Sequence, residues 1–317
     1  SKKYFVQDEI VLEEMEEIAP HMKGDFYYLS KTEGYPIYRN SNFDYYALGD
    51  LGYPVMLEEM KKAESFIFLE YFTIEKGKLW ECMHTILKEK VTQGLDVRVM
   101  YDDMGTIHSL PPNYANMLES EGIKCVRYNK INPFLGVVMN HRDHRKIMVI
   151  DGKVAFSGGM NLADEYINQK MVFGHWKDNV IRVKGEAVWS YTVLFLANWN
   201  AIRKTDDDYT VFKVDAKMEN TDGYISPYGE TPFDGENTGQ NVYMNILNRA
   251  NNHVYICTPY LIIDTELENA LILAAKRGVD VRIITPGIPD KKMVWNITRS
   301  FYRNLIDGGV KIYEYSP

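Results

Sequence analysis

His141-Arg142-Asp143-His144-Arg145-Lys146-Ile147-Met148-Val149-Ile150-Asp151, followed by Gly158-Gly159-Met160-Asn161, is the stretch that everything else in the chain is read from. It contains His-x-Lys-x4-Asp, made by His144, Lys146 and Asp151, and then Gly-Gly-x-Asn seven residues past the aspartate. Ile147 to Ile150 is a β-type apolar run, so His144 and Lys146 open a strand, and residues two apart on a strand point to the same face. A histidine and a lysine aimed into one site suit a phosphate ester. The lysine neutralises phosphoryl oxygens while the imidazole attacks phosphorus or protonates a leaving oxygen. The plain alternative is a basic surface strand followed by a glycine turn.

Composition narrows the setting. A chain of 317 residues suits one large or two ordinary domains, and a 45% hydrophobic content supplies a sizeable core. Mean hydropathy of -0.32 is that of a soluble protein. No apolar run approaches the ~18 residues of a membrane span, and the start, Ser1-Lys2-Lys3-Tyr4, has no signal-peptide pattern. The net charge of -8 argues against a nucleic-acid binder, which carries a basic footprint. An anionic partner would be drawn by a local patch, and Arg142, Arg145 and Lys146 form one. The three cysteines, Cys82, Cys125 and Cys257, are too far apart in sequence for a Cys-x2-Cys metal site. Cys125 and Cys257 sit in apolar strand-like runs and are expected to be buried, reduced thiols.

Along the chain, residues 8 to 23 read as a short amphipathic helix ended near Pro20. Residues 24 to 54 read as loops and short strands. A βα alternation then begins. Met56 to Ala63 is helical, Phe66 to Phe72 is a strand buried on both faces, Leu79 to Val91 is a helix ended at Gly94, and Val97 to Tyr101 is the next strand. Tyr114 to Leu118 is a helix and Ile123 to Tyr128 a strand. Trp189 to Ile202 is a further helix. Residues 205 to 240 are turn-rich and read as a linker.

Beyond that linker the first pattern returns. Ala63-Glu64-Ser65-Phe66-Ile67-Phe68-Leu69 has a counterpart in Ala250-Asn251-Asn252-His253-Val254-Tyr255-Ile256. Gly94-Leu95-Asp96-Val97-Arg98-Val99 recurs as Gly278-Val279-Asp280-Val281-Arg282-Ile283, and Gly122-Ile123-Lys124 as Gly309-Val310-Lys311. Three blocks in one order at nearly one offset argue for internal duplication. The expected organisation is an N-terminal helix and lead-in (1–37), a first unit with the His-Lys-Asp motif (38–204), a linker (205–240) and an incomplete second unit (241–317). The fold class is α/β, in tandem units of mixed sheet flanked by helices.

The sequence resembles the cardiolipin synthases of the phospholipase D superfamily. The resemblance is carried by Phe68-Leu69-Glu70-Tyr71-Phe72, Asp96-Val97-Arg98-Val99, Asn140 to Asp151, Gly158-Gly159-Met160-Asn161-Leu162-Ala163-Asp164-Glu165-Tyr166, Gly174-His175-Trp176-Lys177-Asp178 and Thr258-Pro259-Tyr260. It implies a phospholipase D-like fold and a two-step phosphatidyl transfer between phosphatidylglycerols, through a phosphatidyl-histidine, with no metal and no cofactor. The partners implied are phosphatidylglycerol and an anionic membrane surface, with no nucleic acid. The place implied is the cytoplasmic side of a bacterial cell membrane. By the same resemblance His144 is nucleophile or acid/base, Lys146 and Asn161 bind phosphate with Gly159 beside them, and Asp151 is the motif aspartate, more structural than chemical. Asp178 matches the carboxylate that orients the histidine, and a plain aspartate before a strand is the equal alternative.

Other residues stay open or take the plainer reading. His141 reads as a loop histidine. Glu70 either lines the site or is a satisfied buried carboxylate. Pro133 to Met139 is either a buried strand or an acyl-facing loop. His108 and His175 show no partner in sequence, and Asp102-Asp103 reads as an acidic turn at a strand end. The family carries two His-Lys motifs and membrane-spanning helices, whereas this chain has one motif and no span. The expectation is therefore a truncated soluble fragment that is inactive alone. A lipid or nucleic-acid phosphodiesterase and a non-catalytic lipid-binding module are the rival functions.

Overall fold

The computed structural model describes residues 2–129, 142–219, 221–230 and 235–316. His141 and the run from Pro133 to Met139 lie outside them. Two compact units result: Ser1–Lys170 with Trp176–Tyr228, and Met171–His175 with Gly229–Pro317. Residues 205–228, expected to be a linker, belong to the first unit. Phe212 packs edge-on against Phe66 and Phe68, and Arg98 reaches Asp207 at 3.1 Å. Aromatic anchors inside the turn-rich composition are what tie this segment down.

The first unit is built on a seven-stranded sheet. Its strands are β1 (Ser41–Tyr46), β2 (Phe66–Tyr71), β3 (Asp96–Asp102), β4 (Lys124–Tyr128), β5 (Lys146–Ile150), β6 (Val154–Gly158) and β7 (Val180–Gly185), in the order β1-β7-β6-β5-β2-β3-β4. β2, β3 and β4 are mutually parallel. β5 runs antiparallel to β2, and β6, β7 and β1 continue antiparallel. The sheet is therefore mixed, as expected.

Every residue of β2 is buried, and alternation sends its side chains to two cores. Ile67, Leu69 and Tyr71 meet α3 (Gly49–Lys61) and α4 (Lys78–Thr92) through Met56, Met60, Trp80, Met83 and Leu87. Phe66 and Phe68 meet α7 (Val188–Arg203) on the other face, where Phe68 stacks on Phe195 at 4.7 Å. Each such aromatic contributes roughly 1.5–3 kcal/mol by burial. α3 begins seven residues earlier than the periodicity predicts and takes Pro54 inside it. Shorter helices complete the unit: α1 (Glu9–Ile18), capped by the Asp8 carboxylate on the Ile10 amide at 3.0 Å, α2 (Lys23–Tyr27), α5 (Asp103–Thr106) and α6 (Tyr114–Ser120).

The second unit has, among its described residues, a three-stranded sheet of β8 (His253–Cys257), β9 (Asp280–Pro286) and β10 (Lys311–Tyr315). All its pairings are parallel, so this sheet is not the mixed one expected. Residues of α8 (Thr238–Arg249), α9 (Thr265–Lys276) and α11 (Tyr302–Asp307), the last following α10 (Lys292–Ser300), cover one face through Leu247, Leu271, Ala274 and Leu305. The other face is solvent-exposed at His253, Tyr255 and Cys257. Cys257 is thus exposed, against expectation, while Cys125 is buried. An apolar run marks a strand but does not say whether both of its faces are covered. The internal repeat holds at the level of register: Phe66 pairs with Asp96 and Arg98 with Lys124, as His253 pairs with Asp280 and Arg282 with Lys311.

Candidate active site

β5 carries the site. Its first residue is Lys146, and His144 precedes the strand rather than opening it. Period two still holds. Lys146, Met148 and Ile150 face the α3/α4 side, while Ile147 and Val149 face α7. His144 and Lys146 therefore meet. Lys146 Nζ lies 3.0 Å from His144 Nδ1 and donates to the His144 carbonyl at 2.5 Å. Phe72, just past β2, closes the pair: its ring lies 4.8 Å from the imidazole, and Lys146 Nζ sits 5.7 Å over its face.

Lys146 is only 6% exposed. Burial lowers its pKa to about 8, against the pull of Asp178 and Asp143 in the opposite direction. Burial raises the Asp178 carboxyl, opposed by the Asn179 amide, the Trp176 side chain and Lys146. Trp176 packs against Tyr166 at 4.9 Å, and Tyr166 accepts from Asn161 Nδ2 at 2.9 Å. Asn161 Oδ1 in turn accepts from the Thr73 amide at 3.1 Å, next to Phe72. One polar relay thus runs from the end of β2 to the carboxylate beside Lys146.

Two further site residues have well-defined partners. Asp151, in the left-handed region at φ 54°, accepts from the amides of Glu64, Ser65 and Phe66 at 2.8–2.9 Å. It stands at the opposite end of β5 from Lys146 and joins that end to the start of β2, in keeping with a motif aspartate that is more structural than chemical. The amide of Gly159, expected beside the phosphate-binding residues, donates to Asn179 Oδ1 at 3.2 Å. A Cβ at Gly159 would overlap the Asp178 carboxylate, so this glycine exists to let Asp178 approach. Phe72 and Trp176 were not singled out by sequence reasoning. Both lie inside the quoted family phrases, but an aromatic carries no chemical signature until its neighbours are known.

A mixed sheet with His-x-Lys at the head of its central strand, backed by a Gly-Gly-x-Asn turn, defines a domain of the phospholipase D type. The chain belongs to the family described as "Cardiolipin synthase, PLD-like domain", which matches residues 56–188 and 243–317. An uncharacterized protein of Streptococcus mutans serotype c is 46% identical over the whole chain, which spans 68% of that relative. The cardiolipin synthase of Alkalihalophilus pseudofirmus is 33% identical over 96% of the chain, which spans 61% of that enzyme. A Geobacillus cardiolipin synthase is 34% identical over 84% of the chain and 54% of its own length. The chain thus spans between about half and two thirds of these relatives. A phosphatidylserine synthase structure from Haemophilus influenzae superposes with a TM-score of 0.62, covering 87% of this chain and 73% of its own at 13% identity, which speaks to the fold. Among the described residues no helix is long and apolar enough to cross a membrane.

Proposed function

We propose that this site performs phosphatidyl transfer, joining two phosphatidylglycerols into cardiolipin with release of glycerol, at an anionic membrane surface. The observation that carries the reading is the 3.0 Å contact between the ring of the exposed His144 and the buried Lys146. In the first step His144 Nε2 attacks phosphorus, the phosphorus–oxygen bond to glycerol breaks, and the departing oxygen takes a proton from water. In the second step the hydroxyl of another phosphatidylglycerol attacks phosphorus, gives its proton to the hydroxide left by that water and displaces the imidazole. Lys146 Nζ swings from Nδ1 to the phosphoryl oxygens, where its charge counts most. Asp178 offsets that charge at rest and accepts from the imidazole once Lys146 has moved. The second amide hydrogen of Asn161 bonds the phosphate.

An aryl phosphatidyl ester tests the first step, because a phenolate leaves without a general acid. We expect a burst of about one equivalent of phenol and a phosphatidyl group on His144. Both should vanish in His144→Ala. Adding phosphatidylglycerol should then yield cardiolipin. Phosphatidate alone, despite added acceptor, would make the enzyme a hydrolase, and no burst from the wild type would sink the covalent mechanism.

A further inference from the structure

Directly behind His144 and Lys146, on the α7 side of the sheet, lies a cluster that the mechanism above does not use. Glu70 and Asp143 are 0% and 6% exposed. Glu70 Oε1 accepts from Asn198 Nδ2 of α7 at 2.7 Å and lies 3.7 Å from the Arg145 guanidinium. Its other oxygen is buried and, among the described residues, receives no hydrogen bond. Asp143 accepts from the Arg145 amide at 3.2 Å, and its own amide donates to Asp102 Oδ2 at 3.0 Å. Arg142 reaches Asp102 at 3.4 Å and the Asn129 carbonyl at 3.0 Å. The charged groups facing one another here, among the described residues, are thus Glu70, Asp143 and Asp102 against Arg142 and Arg145, with Lys146 close enough to feel Asp143. The Tyr128 hydroxyl of β4 is close enough to feel Asp143, Arg145, Asp102 and Glu70.

An ionised Glu70 leaves Oε2 a fully buried acceptor with nothing to accept, which is costly. One proton on that oxygen removes a buried charge and makes a donor to the neighbouring Asp143. We infer that Glu70 and Asp143 share one proton and that this acid pair is a positioning device, fixing the 142–145 segment so that His144 meets Lys146. Burial, Asp143 and a hydrogen bond to it hold the Glu70 carboxyl well above the ordinary glutamate range, with Arg145 and Asn198 opposing.

The sign of the pH effect follows. The folded state binds the proton more tightly than the unfolded chain, so the pair's contribution to stability is full below the unfolded glutamate pKa of about 4.3. It is lost as pH rises through the folded value. Glu70→Gln keeps the shape, accepts from Asn198, donates to Asp143 and does not titrate. Its melting temperature relative to the wild type should therefore climb with pH across that window. Carbon-13 spectra of the carboxyl groups at pH 7 should show one protonated side chain in the wild type and none in Glu70→Gln. The His144 ring signals should shift as the wild-type pair loses its proton and stay fixed in Glu70→Gln. The catalytic arm rests on the proposed phosphatidyl transfer: the loss of the burst with rising pH, to which Lys146 contributes in every variant, should be shallower in Glu70→Gln than in the wild type, and the burst should slow about tenfold or more in Glu70→Ala. Parallel melting profiles with two ionised carboxyls at pH 7 would overturn the shared proton. A deprotonation that leaves the His144 signals unmoved would overturn positioning. A burst absent from every variant counts against phosphatidyl transfer instead, and the two spectra still decide the pair.

Discussion

Arg98 and Arg282 occupy equivalent places in two copies of one motif and live in different surroundings. Arg98 pairs with Asp96 at 2.8 Å, and Lys124 from the next strand joins the same carboxylate at 2.9 Å. Arg282 pairs with Asp280 at 2.7 Å, and Lys311 joins it at 2.8 Å. The first guanidinium is sealed between Phe68, Trp199 and Phe212, each within 5.3 Å. The second lies over Tyr255 alone, with 43% of its side chain exposed. The local code of strand, register and charge is the same. Coverage by α7 and the 205–228 segment is what differs, and coverage decides what the charges are worth. Burial works to raise Asp96, and Arg98 and Lys124 overcome it to hold the carboxyl low. Arg282 and Lys311 hold Asp280 well below the usual carboxylate range with no comparable desolvation to overcome.

The difference between the units is sharpest in chemistry. The first carries a His-x-Lys-x4-Asp motif, and that full motif occurs once in the 317 residues. Losing one general acid costs roughly 10²–10⁴-fold in rate. The chain alone, assayed with phosphatidylglycerol vesicles, should therefore form little or no cardiolipin, even where the aryl ester gives its burst. Robust turnover, abolished by His144→Ala, would mean that one pair suffices. Next in size is the arginine comparison. Arg98→Ala leaves Asp96 and Asp207 short of a buried partner and should cost about 3 kcal/mol or more in urea unfolding. Arg282→Ala, at an exposed and solvent-screened pair, should cost only a small fraction of that. Equal costs would break the claim that coverage sets the value of the motif.

The smallest effect probes charge inside the covered unit. Lys146 is protonated below its pKa of about 8 and neutral above it. Affinity for tungstate, an anion of constant charge in this range, should fall about tenfold between pH 7 and pH 9, and Lys146→Arg should flatten that fall. Stability moves the other way. The folded pKa lies below the unfolded one, so the Lys146 contribution to stability is present above the unfolded value and is lost as pH falls through about 8. A tungstate affinity that does not change with pH would show that Lys146 does not meet the anion.

Much of the site was legible because period two is a local property. His-x-Lys places two side chains on one face whatever the rest of the fold does, and Lys146 obeys it. The repeat was legible to the level of register because it is written in matching residues. Other features depend on partners far along the chain. Asp151 reads as the structural member of its motif, but the three amides it holds lie more than 80 residues away and nothing local names them. The pairing of Glu70 with Asp143 needs β2 beside β5, and β5 antiparallel to β2 is not announced by either segment. Residues 205–228 read as linker because Asp206-Asp207-Asp208 and Asn220-Thr221-Asp222-Gly223 signal turns, and the few aromatics that dock the segment carry no period.

β5 is tethered at both ends: at Ile150 by the Asp151 grip on residues 64–66, and ahead of Lys146 by the Asp102 bond to the Asp143 amide. A strand so anchored has no slack, and it cannot slide or tilt to suit a bulkier acceptor alcohol. Diversification of the alcohol accepted must therefore come from the parts that frame this strand, while the strand itself stays fixed as the datum from which every distance at phosphorus is measured. Anyone redesigning the acceptor preference should randomise the frame and leave residues 142–151 alone.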